Sequence, residues 1–597
     1  MLLTRWLISI CLLAPISAQA QLPSIDYTVR LTADDTTSFD VSMRIRNAPD
    51  TFRLAMAAHP EYDDRFWRYV ERPTVLGMKL GASIVREDSA VWRVASHGET
   101  LVHYRIRLPV NEQNQRGSWR PFFRSTGALT GDLHTFMYMI GAEKAPATIK
   151  VDVPSGWKIA TALQSTTDPT VFRASSAEEV MESPILVGNL HTWSFTTSGV
   201  RHRVVYWPLP SATKFDTTVF VNRIRHITEQ GTALFRGAPY REYVFLVQDG
   251  AYGALEHPNS VTLGAPSALL AEDQTELLEE AAHEYMHLWN LMRIRPVERT
   301  GLDYHPARET RGLWFSEGLS MYYADLLLRR GKIPTSDSTR LAHLSHLIEQ
   351  YLGNSSYQHI SPEEASLGAY RSSPGTFGDY SPSVHLQGEV IGAMVDLIIR
   401  DATNNTRSID DVMRLMMQRY SGQRGFGGRD IELTVADVCG CDVKQFFDAH
   451  VRGTQPIDFN RYLRLAGLRS ETKVGPALEG AGKPAIDLRI FAWMPPGEQR
   501  PRLLLIDPNS TWVRAGLHTD DQLVSVNGVA MNSWPEFRNV LRNLKMGETL
   551  RFEIVRAGKP TQVTVVVSGY DRPTVSVTPI RDASPKQRRI REAWITG

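Results

Sequence analysis

The first third of the chain alternates apolar and polar side chains. Residues 27–32, 39–46 and 103–108 place an apolar residue at almost every second position, and Asn, Asp, Pro and Gly separate these stretches. A half-buried antiparallel sheet has this period because successive side chains of a strand point to opposite faces. The pattern predicts a β-rich N-terminal domain over residues 21–205.

The middle of the chain changes to a helical pattern after one more predicted strand at residues 243–247. Apolar residues then recur at spacings of three and four, which place them on one face of a helix. The pattern predicts five long helices, at residues 276–291, 312–330, 340–352, 390–400 and 409–420. We therefore predict a mainly α-helical domain over residues 206–473.

Strand-like patterning returns after residues 474–484, a Gly-, Pro- and Ala-rich stretch that predicts a linker. Five apolar segments that follow predict a small separate domain over residues 485–582. The basic residues 583–597 predict a short solvated tail rather than a nucleic-acid-binding arm. The predicted fold class is a multidomain α+β protein.

Composition supports a folded protein and argues against a nucleic-acid partner. The 597 residues are 42% hydrophobic and 22% charged, which excludes a disordered or fibrous chain. Lys and Arg total 66 against 65 Asp and Glu, so the formal net charge is only +1. A chain with this balance has no overall field that would hold nucleic acid or an anionic membrane.

The N-terminus has the three parts of a secretory signal. Arg5 gives a basic start, residues 6–16 are mainly apolar, and Ala18 and Ala20 form an Ala-x-Ala cleavage site. An apolar run of this length is too short to span a bilayer, and no stretch of about 18 apolar residues follows it. We predict a signal peptide at residues 1–20 and an exported mature chain, periplasmic or secreted, without a transmembrane anchor. A buried N-terminal helix or a membrane anchor is the alternative.

Three cysteines are too few for a scaffold built on disulfides. Export would leave Cys439 and Cys441, which can close a small disulfide or pack as two small apolar residues. The sequence favours neither, and the pair does not indicate a metal site.

The sharpest chemical feature is the motif His283-Glu284-Tyr-Met-His287 within a predicted helix. Two histidines one turn apart lie on the same helix face, so both imidazoles can bind one zinc ion. Asp273 and Glu276 are spaced as a capping box for this helix. Glu284 projects beside the pair and is the candidate general base, unless it is only a surface partner of a neighbouring residue.

A hydrolytic zinc site needs a third protein ligand and one open position for water. Glu317 begins the next predicted helix among bulky apolar residues, where a carboxylate requires a strong partner such as a metal ion. We predict Glu317 as the third ligand. The alternative is an acidic residue stabilised by the helix dipole. Residues 252–260 add a Gly followed by Glu256 after a strand, which is a weak signal by itself.

At these residues the chain resembles the glycyl aminopeptidase family of gluzincin metallopeptidases. Members carry a β-rich N-terminal domain, a thermolysin-like catalytic domain and a C-terminal PDZ domain. The likeness covers residues 253–257, 283–296, 313–330, 408–414 and 446–453, together with PDZ-like segments at 506–510, 515–517 and 521–528.

The resemblance implies that one zinc ion is bound by His283, His287 and Glu317 and that Glu284 is catalytic. It also implies that Glu256 accepts the α-ammonium group of a peptide substrate. A PDZ domain implies a second peptide ligand, bound by its C-terminus as an added strand. The expected carboxylate-binding loop near residues 488–491 is not a clear match, so a structural or autoinhibitory role for this domain is an equal alternative.

The chain departs from the family pattern at residues 383–388. Family members often have a Tyr-Tyr pair there, whereas this chain has Val384 and His385. We expect His385 to replace the tyrosine as a hydrogen-bond donor to the oxyanion, unless Tyr380 does so or catalysis is weaker. The turn at residues 59–64 also differs from the family, which affects the expected specificity.

These observations favour a zinc aminopeptidase that removes N-terminal residues, Gly or Ala by resemblance, from peptides. An endopeptidase with the same metal chemistry is the first alternative. A catalytically silent periplasmic peptide-binding protein is the second, and the altered residue at His385 is its main support.

Overall fold

The computed structural model describes residues 23–56, 58–59, 64–77, 81–108, 116–300, 309–335, 339–369, 383–494, 498–505 and 507–597. Three regions follow one another: β-rich, mainly helical, and a smaller domain with strands and helices. This architecture confirms the predicted fold class. The predicted signal peptide, Tyr380 and the turn at residues 60–63 lie outside the described residues.

Strands dominate the N-terminal domain because alternate side chains reach a shared core. In the strand at residues 100–107, for example, every second residue is buried. The elements are β1 (Ser24–Arg30), β2 (Ser38–Arg46), β3 (Thr51–Met56), β4 (Ala58–His59), β5 (Asp64–Arg65), β6 (Val70–Gly77), β7 (Ser83–Arg86), β8 (Val91–Ala95), β9 (Thr100–Arg107), β10 (Arg116–Gly117), β11 (Phe122–Arg124), β12 (Gly127–Gly131), β13 (Met137–Met139), β14 (Ala147–Asp152), β15 (Lys158–Ala160), β16 (Gln164–Ser165), β17 (Val171–Ala174), α1 (Ala177–Met181) and β18 (Pro184–Gly188). The largest sheet has the order β16-β17-β14-β1-β2-β9-β6.

The catalytic region places helices against a second sheet. Its elements are β19 (His191–Thr197), β20 (Val200–Trp207), α2 (Thr217–Leu234), β21 (Glu242–Asp249), β22 (Ala251–His257), β23 (Ser260–Ala265), α3 (Ser267–Glu272), α4 (Thr275–His287), α5 (Leu313–Arg330), α6 (Arg340–Gly353), α7 (Pro362–Gly368), α8 (Val384–Ala402), α9 (Ile409–Tyr420), α10 (Asp430–Cys439), α11 (Lys444–His450) and α12 (Phe459–Leu463). The sheet order is β10-β22-β23-β21-β20-β19. Strands β19 and β20 therefore join the catalytic sheet, although the sequence assigned residues up to 205 to the N-terminal domain. Alternation along a strand does not reveal which sheet the strand enters.

Two details of the helices differ from the sequence predictions. Helix α4 begins at Thr275, and Asp273 accepts hydrogen bonds from the backbone N–H and hydroxyl of Thr275. The predicted capping box with Glu276 is therefore wrong. Helix α8 begins at Val384, six residues earlier than its apolar period indicates, because the side chain of Ser383 caps it.

Helices α5 and α8 cross at two glycines. A Cβ atom on Gly318 would lie 2.2 Å from Cα of Gly388, and one on Gly388 would lie 2.0 Å from the carbonyl oxygen of Trp314. Both neighbours are backbone atoms, so neither contact can be relieved by a side-chain rotation. The two glycines thus fix how closely the helix carrying Glu317 approaches the helix carrying His385.

We expect Gly388→Ala to lower the free energy of unfolding by about 3 kcal/mol, since the added methyl group forces the two backbones apart. Thermal unfolding of the variant measures this effect. Gly392→Ala on the same helix is the control, because the nearest neighbours of its Cβ are side-chain atoms, of Leu319 at 3.2 Å and of Tyr322 at 3.7 Å. Equal unfolding temperatures for both variants would contradict the role of the crossing.

The C-terminal region forms a small domain that is tied back to the catalytic region. Its elements are β24 (Leu468–Pro476), β25 (Leu478–Glu479), β26 (Lys483–Pro484), β27 (Phe491–Trp493), β28 (Arg502–Leu504), α13 (Thr511–Arg514), β29 (Gln522–Val526), β30 (Val529–Ala530), α14 (Trp534–Arg542), β31 (Thr549–Arg556), β32 (Lys559–Val566), β33 (Asp571–Pro579) and α15 (Pro585–Thr596). Strand β24 pairs with β33 along nine residues. Part of the predicted linker is therefore a paired strand, which composition alone does not indicate.

The basic tail is not a solvated end. Residues 585–596 form helix α15, and Ile590 and Trp594 are buried in the core of the catalytic region. The expectation was wrong because these two apolar residues, one turn apart, lie among many arginines.

Cys439 and Cys441 form a disulfide bond. None of the helices in the described part of the chain combines the length and apolar character needed to traverse a bilayer.

Candidate metal centre and active site

The three predicted ligands converge at one point between α4 and α5. The Nε2 atoms of His283 and His287 lie 2.8 Å apart. Oε2 of Glu317 lies 3.5 Å from Nε2 of His283 and 3.1 Å from Nε2 of His287. All three side chains are buried. The helical repeat of the motif and the packing of α5 against α4 thus bring the predicted set together.

The orientation of His287 is set by a group that the sequence analysis missed. Its Nδ1 atom lies 2.9 Å from the carbonyl oxygen of Asn290 and donates to it in the neutral tautomer, which leaves a lone pair on Nε2. The side-chain amide of Asn290 donates in turn to the carbonyl oxygens of Phe315 and Ser316 at 3.1 and 2.9 Å. Asn290 therefore links the end of α4 to the start of α5. Its position three residues after the motif is the only sequence signal for this role.

The donor set fits a zinc ion. Two imidazole nitrogens and one carboxylate oxygen are ligands that zinc prefers, and Nε2 of His287 lies 3.1 Å from the carboxylate. Such groups attract one another in a buried site only when a cation, a proton or a metal ion, lies between their lone pairs. His385 also lies near this donor set. The potential ligand atoms of His283, Glu317 and His385 all lie within 4.8 Å of one another. His283, Glu284 and His287 form a second such group.

Burial and mutual charge shift the titration of these groups. Burial lowers the pKa of His283 to about 4, and the charge of His287 acts in the same direction. For His287, burial opposes protonation, but the carboxylate of Glu317 outweighs it and raises the pKa well above its ordinary value. For Glu317, burial raises the pKa, yet the charge of His287 and hydrogen bonds from the histidines lower it well below the usual range. Glu317 is thus held as an anion, as a metal ligand must be.

Glu284 lies in the same cleft with one buried oxygen. Oε2 of Glu284 has no hydrogen-bond partner among the described residues. Burial, followed by the charge of Glu256, raises its pKa well above the ordinary value. A carboxylate in such a setting accepts a proton more readily than one in water, which suits a general base.

Strand β22 brings Glu256 into the same cleft. Residues 253–257 pair with β23 on one side, while β10 covers the other edge only at Ala251 and Tyr252. Among the described strands, the edge from Gly253 onward is open to an added strand. Glu256, the two histidines of the motif, Glu284 and Glu317 all line one cavity of about 590 Å³.

His385 lies on the far side of the ligands, in the first turn of α8. Its Nε2 atom is 3.2 Å from Oε2 of Glu317, and its ring centroid is 5.7 Å from that of His283. The structure therefore brings His385 into the cleft, as the sequence analysis expected. This distance suits either a donor near the ligand carboxylate or a further ligand.

The cavity is strongly acidic beyond the predicted residues. Its described lining contains no Lys or Arg, and it includes five further carboxylates, those of Glu276, Glu279, Glu280, Asp325 and Glu389. Burial and then the charge of Glu276 raise the pKa of Glu280 to about 7. The sequence analysis missed these residues, although Glu276, Glu280 and Glu284 stand at four-residue spacing on one face of α4. Trp119 from the N-terminal domain also lines the cavity and was not predicted.

Three segments of the chain match known protein families. Residues 276–391 match the M61 glycyl aminopeptidase, residues 26–189 match the Peptidase M61 N-terminal domain, and residues 496–567 match a PDZ domain. These matches confirm the resemblance inferred from the motifs. No curated protein matches the chain.

Solved structures are similar to the chain at low sequence identity, and the first of them shows the same fold. An aminopeptidase N family protein from Idiomarina loihiensis is similar over 96% of this chain and 100% of its own length, with 19% identity and a TM-score of 0.76. An M1 zinc metallopeptidase from Deinococcus radiodurans has 14% identity, 73% and 95% coverage and a TM-score of 0.46. The yeast LTA4 hydrolase in complex with bestatin has 14% identity, 74% and 67% coverage and a TM-score of 0.46.

Proposed function

We propose that the chain is a zinc aminopeptidase like the M61 glycyl aminopeptidases, whose catalytic and N-terminal domain models match residues 276–391 and 26–189, and that its cleft removes single small residues, Gly or Ala, from peptide N-termini. In this proposal one zinc ion is held by His283, His287 and Glu317. The proposal includes export of the mature enzyme, for which the N-terminal sequence is the support.

The observation that carries the proposal is a carboxylate on an open strand edge that lines the same cavity as the ligand set. Glu256 lies on the open edge of β22, and the cavity also contains the side chains of His283, His287 and Glu317. A peptide added along this edge would bring its ammonium group to Glu256 and its first peptide bond towards the ligands. An internal stretch of peptide offers no cation, so the half-buried carboxylate of Glu256 would gain no cationic partner from such a substrate, which disfavours endopeptidase binding.

Each residue then has a defined task. Glu256 pairs with the α-ammonium group and fixes the position of the first peptide bond. When bound, a zinc ion supplies a Lewis acid that polarises the scissile carbonyl and acidifies a water molecule. Glu284 takes the proton released by the attacking water and returns it to the leaving amine. His385 donates a hydrogen bond to the carbonyl oxygen as negative charge develops there.

We expect Glu256→Gln to lower kcat/KM for a free dipeptide by about 100-fold, because the ammonium group loses a charged partner in a desolvated site. Hydrolysis of a Gly-initiated dipeptide and its N-acetylated counterpart measures this effect, with exposed Glu272→Gln as the control. The wild type should cleave only the free peptide. Comparable cleavage of both would favour the endopeptidase alternative, and no turnover with bound zinc would favour the silent peptide-binding alternative.

For the C-terminal PDZ domain we favour a structural role over capture of a peptide carboxylate. Arg489 is the cation nearest the expected carboxylate loop, but it is paired with Asp487 and Asp507 and lies 4.4 Å from the ring centroid of Tyr570. A guanidinium engaged in this way is a poor partner for an incoming carboxylate. Binding of a peptide to an edge of this domain by strand addition stays the alternative.

A further inference from the structure

A second group of buried titratable side chains lies where the N-terminal domain meets strand β22. His257 ends this strand, directly after Glu256, and is only 2% exposed. Oδ2 of Asp132 lies 3.8 Å from its Nε2 atom, and Oε2 of Glu182 lies 3.7 Å from its Nδ1 atom. Both carboxylates belong to the N-terminal domain, Asp132 after β12 and Glu182 after α1. One imidazole therefore bridges two carboxylates across the domain boundary.

The groups around His257 favour its cationic form. Burial lowers the pKa of His257, but the charges of Asp132 and Glu182 and, more weakly, that of Glu256 outweigh burial and raise it above its ordinary value. His134 also faces the cluster, and burial lowers its pKa to about 3, so it stays neutral. Burial raises the pKa of Asp132 to about 7, against the charge of His257. The cluster thus holds a proton that two isolated carboxylates and a histidine in water would not hold at neutral pH.

We propose that protonated His257 is a positioning residue that clamps β22 to the N-terminal domain and thereby holds Glu256 at the ammonium position. Adjacent residues of a strand point to opposite faces, so a clamp at residue 257 fixes the backbone from which Glu256 projects into the cleft. This inference rests on the proposed role of Glu256. It extends that role by making substrate affinity depend on the protonation of a residue that does not touch the substrate.

Loss of the proton has a physical consequence. A neutral imidazole leaves the buried Asp132 and the half-buried Glu182 without this cation, which is unfavourable unless water enters or the domains separate at this point. Because the pKa of His257 is raised, the stabilisation from its pairing with Glu182 is fully present below the ordinary pKa of about 6.5 and is lost as the pH rises through the folded-state value. The pairing with Asp132 also requires that carboxyl, with its pKa of about 7, to be ionised. The clamp should therefore loosen on the alkaline side.

The test compares three variants. His257→Gln removes the cation, and Glu182→Gln removes one of its partners. Glu178→Gln is the matched control, since Glu178 lies on α1 and forms an ion pair of 3.0 Å with Arg295, which also joins the two domains but lies outside β22. KM and kcat for a free dipeptide are measured between about pH 6 and pH 9, together with thermal unfolding.

We expect His257→Gln to raise KM about tenfold at the acid end with kcat changed less than about twofold, because Glu256 is displaced but the chemistry is intact. The ratio of variant to wild-type KM should fall towards one as the pH rises, and this comparison cancels titration of the substrate ammonium. In Glu182→Gln, the alkaline increase in KM that accompanies loosening of the clamp should begin at a lower pH than in the wild type, because His257 has lost one of the charges that raise its pKa. Glu178→Gln should leave KM within about twofold of the wild type.

A KM ratio that does not change with pH would overturn the inference, as would an equal effect of Glu178→Gln. If His257→Gln does not fold, Glu182→Gln decides by the same criteria.

Thermal unfolding separates this inference from the proposed function. The stability lost in Glu182→Gln should be largest at low pH and shrink as the pH rises, whether or not the protein cleaves peptides. An inactive wild type that shows this pattern would refute the proposed function and keep the clamp, while a pH-independent loss would refute the clamp.

Discussion

Glu284→Gln is expected to reduce kcat by about three orders of magnitude while zinc stays bound, because the amide keeps the shape of the side chain but cannot accept a proton. Oε2 of Glu284 supports this expectation, since it is buried in the cleft and has no hydrogen-bond partner in the described part of the chain. Turnover of a Gly-initiated dipeptide and the zinc content of the purified protein measure the two parts of the result. The expected zinc content is that of the wild type.

Glu229→Gln is the control for this variant, since the side chain of Glu229 on α2 is 42% exposed and its only charged contact among the described interactions is a long ion pair with Arg225. Equal turnover in Glu284→Gln and the wild type would remove the general-base role. Loss of zinc would instead indicate that Glu284 is a ligand, in the grouping with His283 and His287.

The second large effect is expected from Glu317→Ala, which should weaken zinc binding by more than about 100-fold and abolish turnover. Loss of a supporting residue alone weakens zinc binding 10- to 100-fold, and Glu317 is the carboxylate on which the three imidazoles converge. Titration with a competing chelator measures the affinity. Added zinc should raise the unfolding temperature of the wild type but not of the variant, because only a bound ligand stabilises the fold.

His385→Phe distinguishes the two interpretations of the neighbouring histidine. If His385 is an oxyanion donor, this variant should bind zinc like the wild type and lose only turnover. If it is a ligand, zinc affinity should fall together with turnover.

For the preceding variant, Glu317→Ala, a zinc affinity equal to that of the wild type would contradict the predicted ligand set.

The sequence indicated the domain types well because their signals are local. Alternation along β9 and helical spacing along α9 reflect the side-chain periods of the elements themselves, and the predicted helix at residues 409–420 has the observed bounds. Errors occurred where contacts between distant segments decide the outcome. Strands β19 and β20 look like their predecessors, yet they pair with β21 in the catalytic sheet.

The same division applies to the candidate site. The spacing of His283 and His287 is a property of one helix, and Glu317 stands out by its apolar neighbours. By contrast, Asn290 acquires its role only because α5 presents two carbonyl oxygens to it. Neither the acidic lining of the cleft nor the bridge at His257 follows from local spacing, since each collects residues from several elements.

The sequence by itself indicated the resemblance to the M61 glycyl aminopeptidases, the domain types and which residues have the chemistry to bind a metal and move a proton. These depend on residue type and on the geometry of a single helix or strand. Only the tertiary structure decided how close α5 and α8 approach, which strand edge faces the ligands and which charges share a buried space. Those features arise from long-range packing, in which the energy of a charged group depends on neighbours that are far away in the chain.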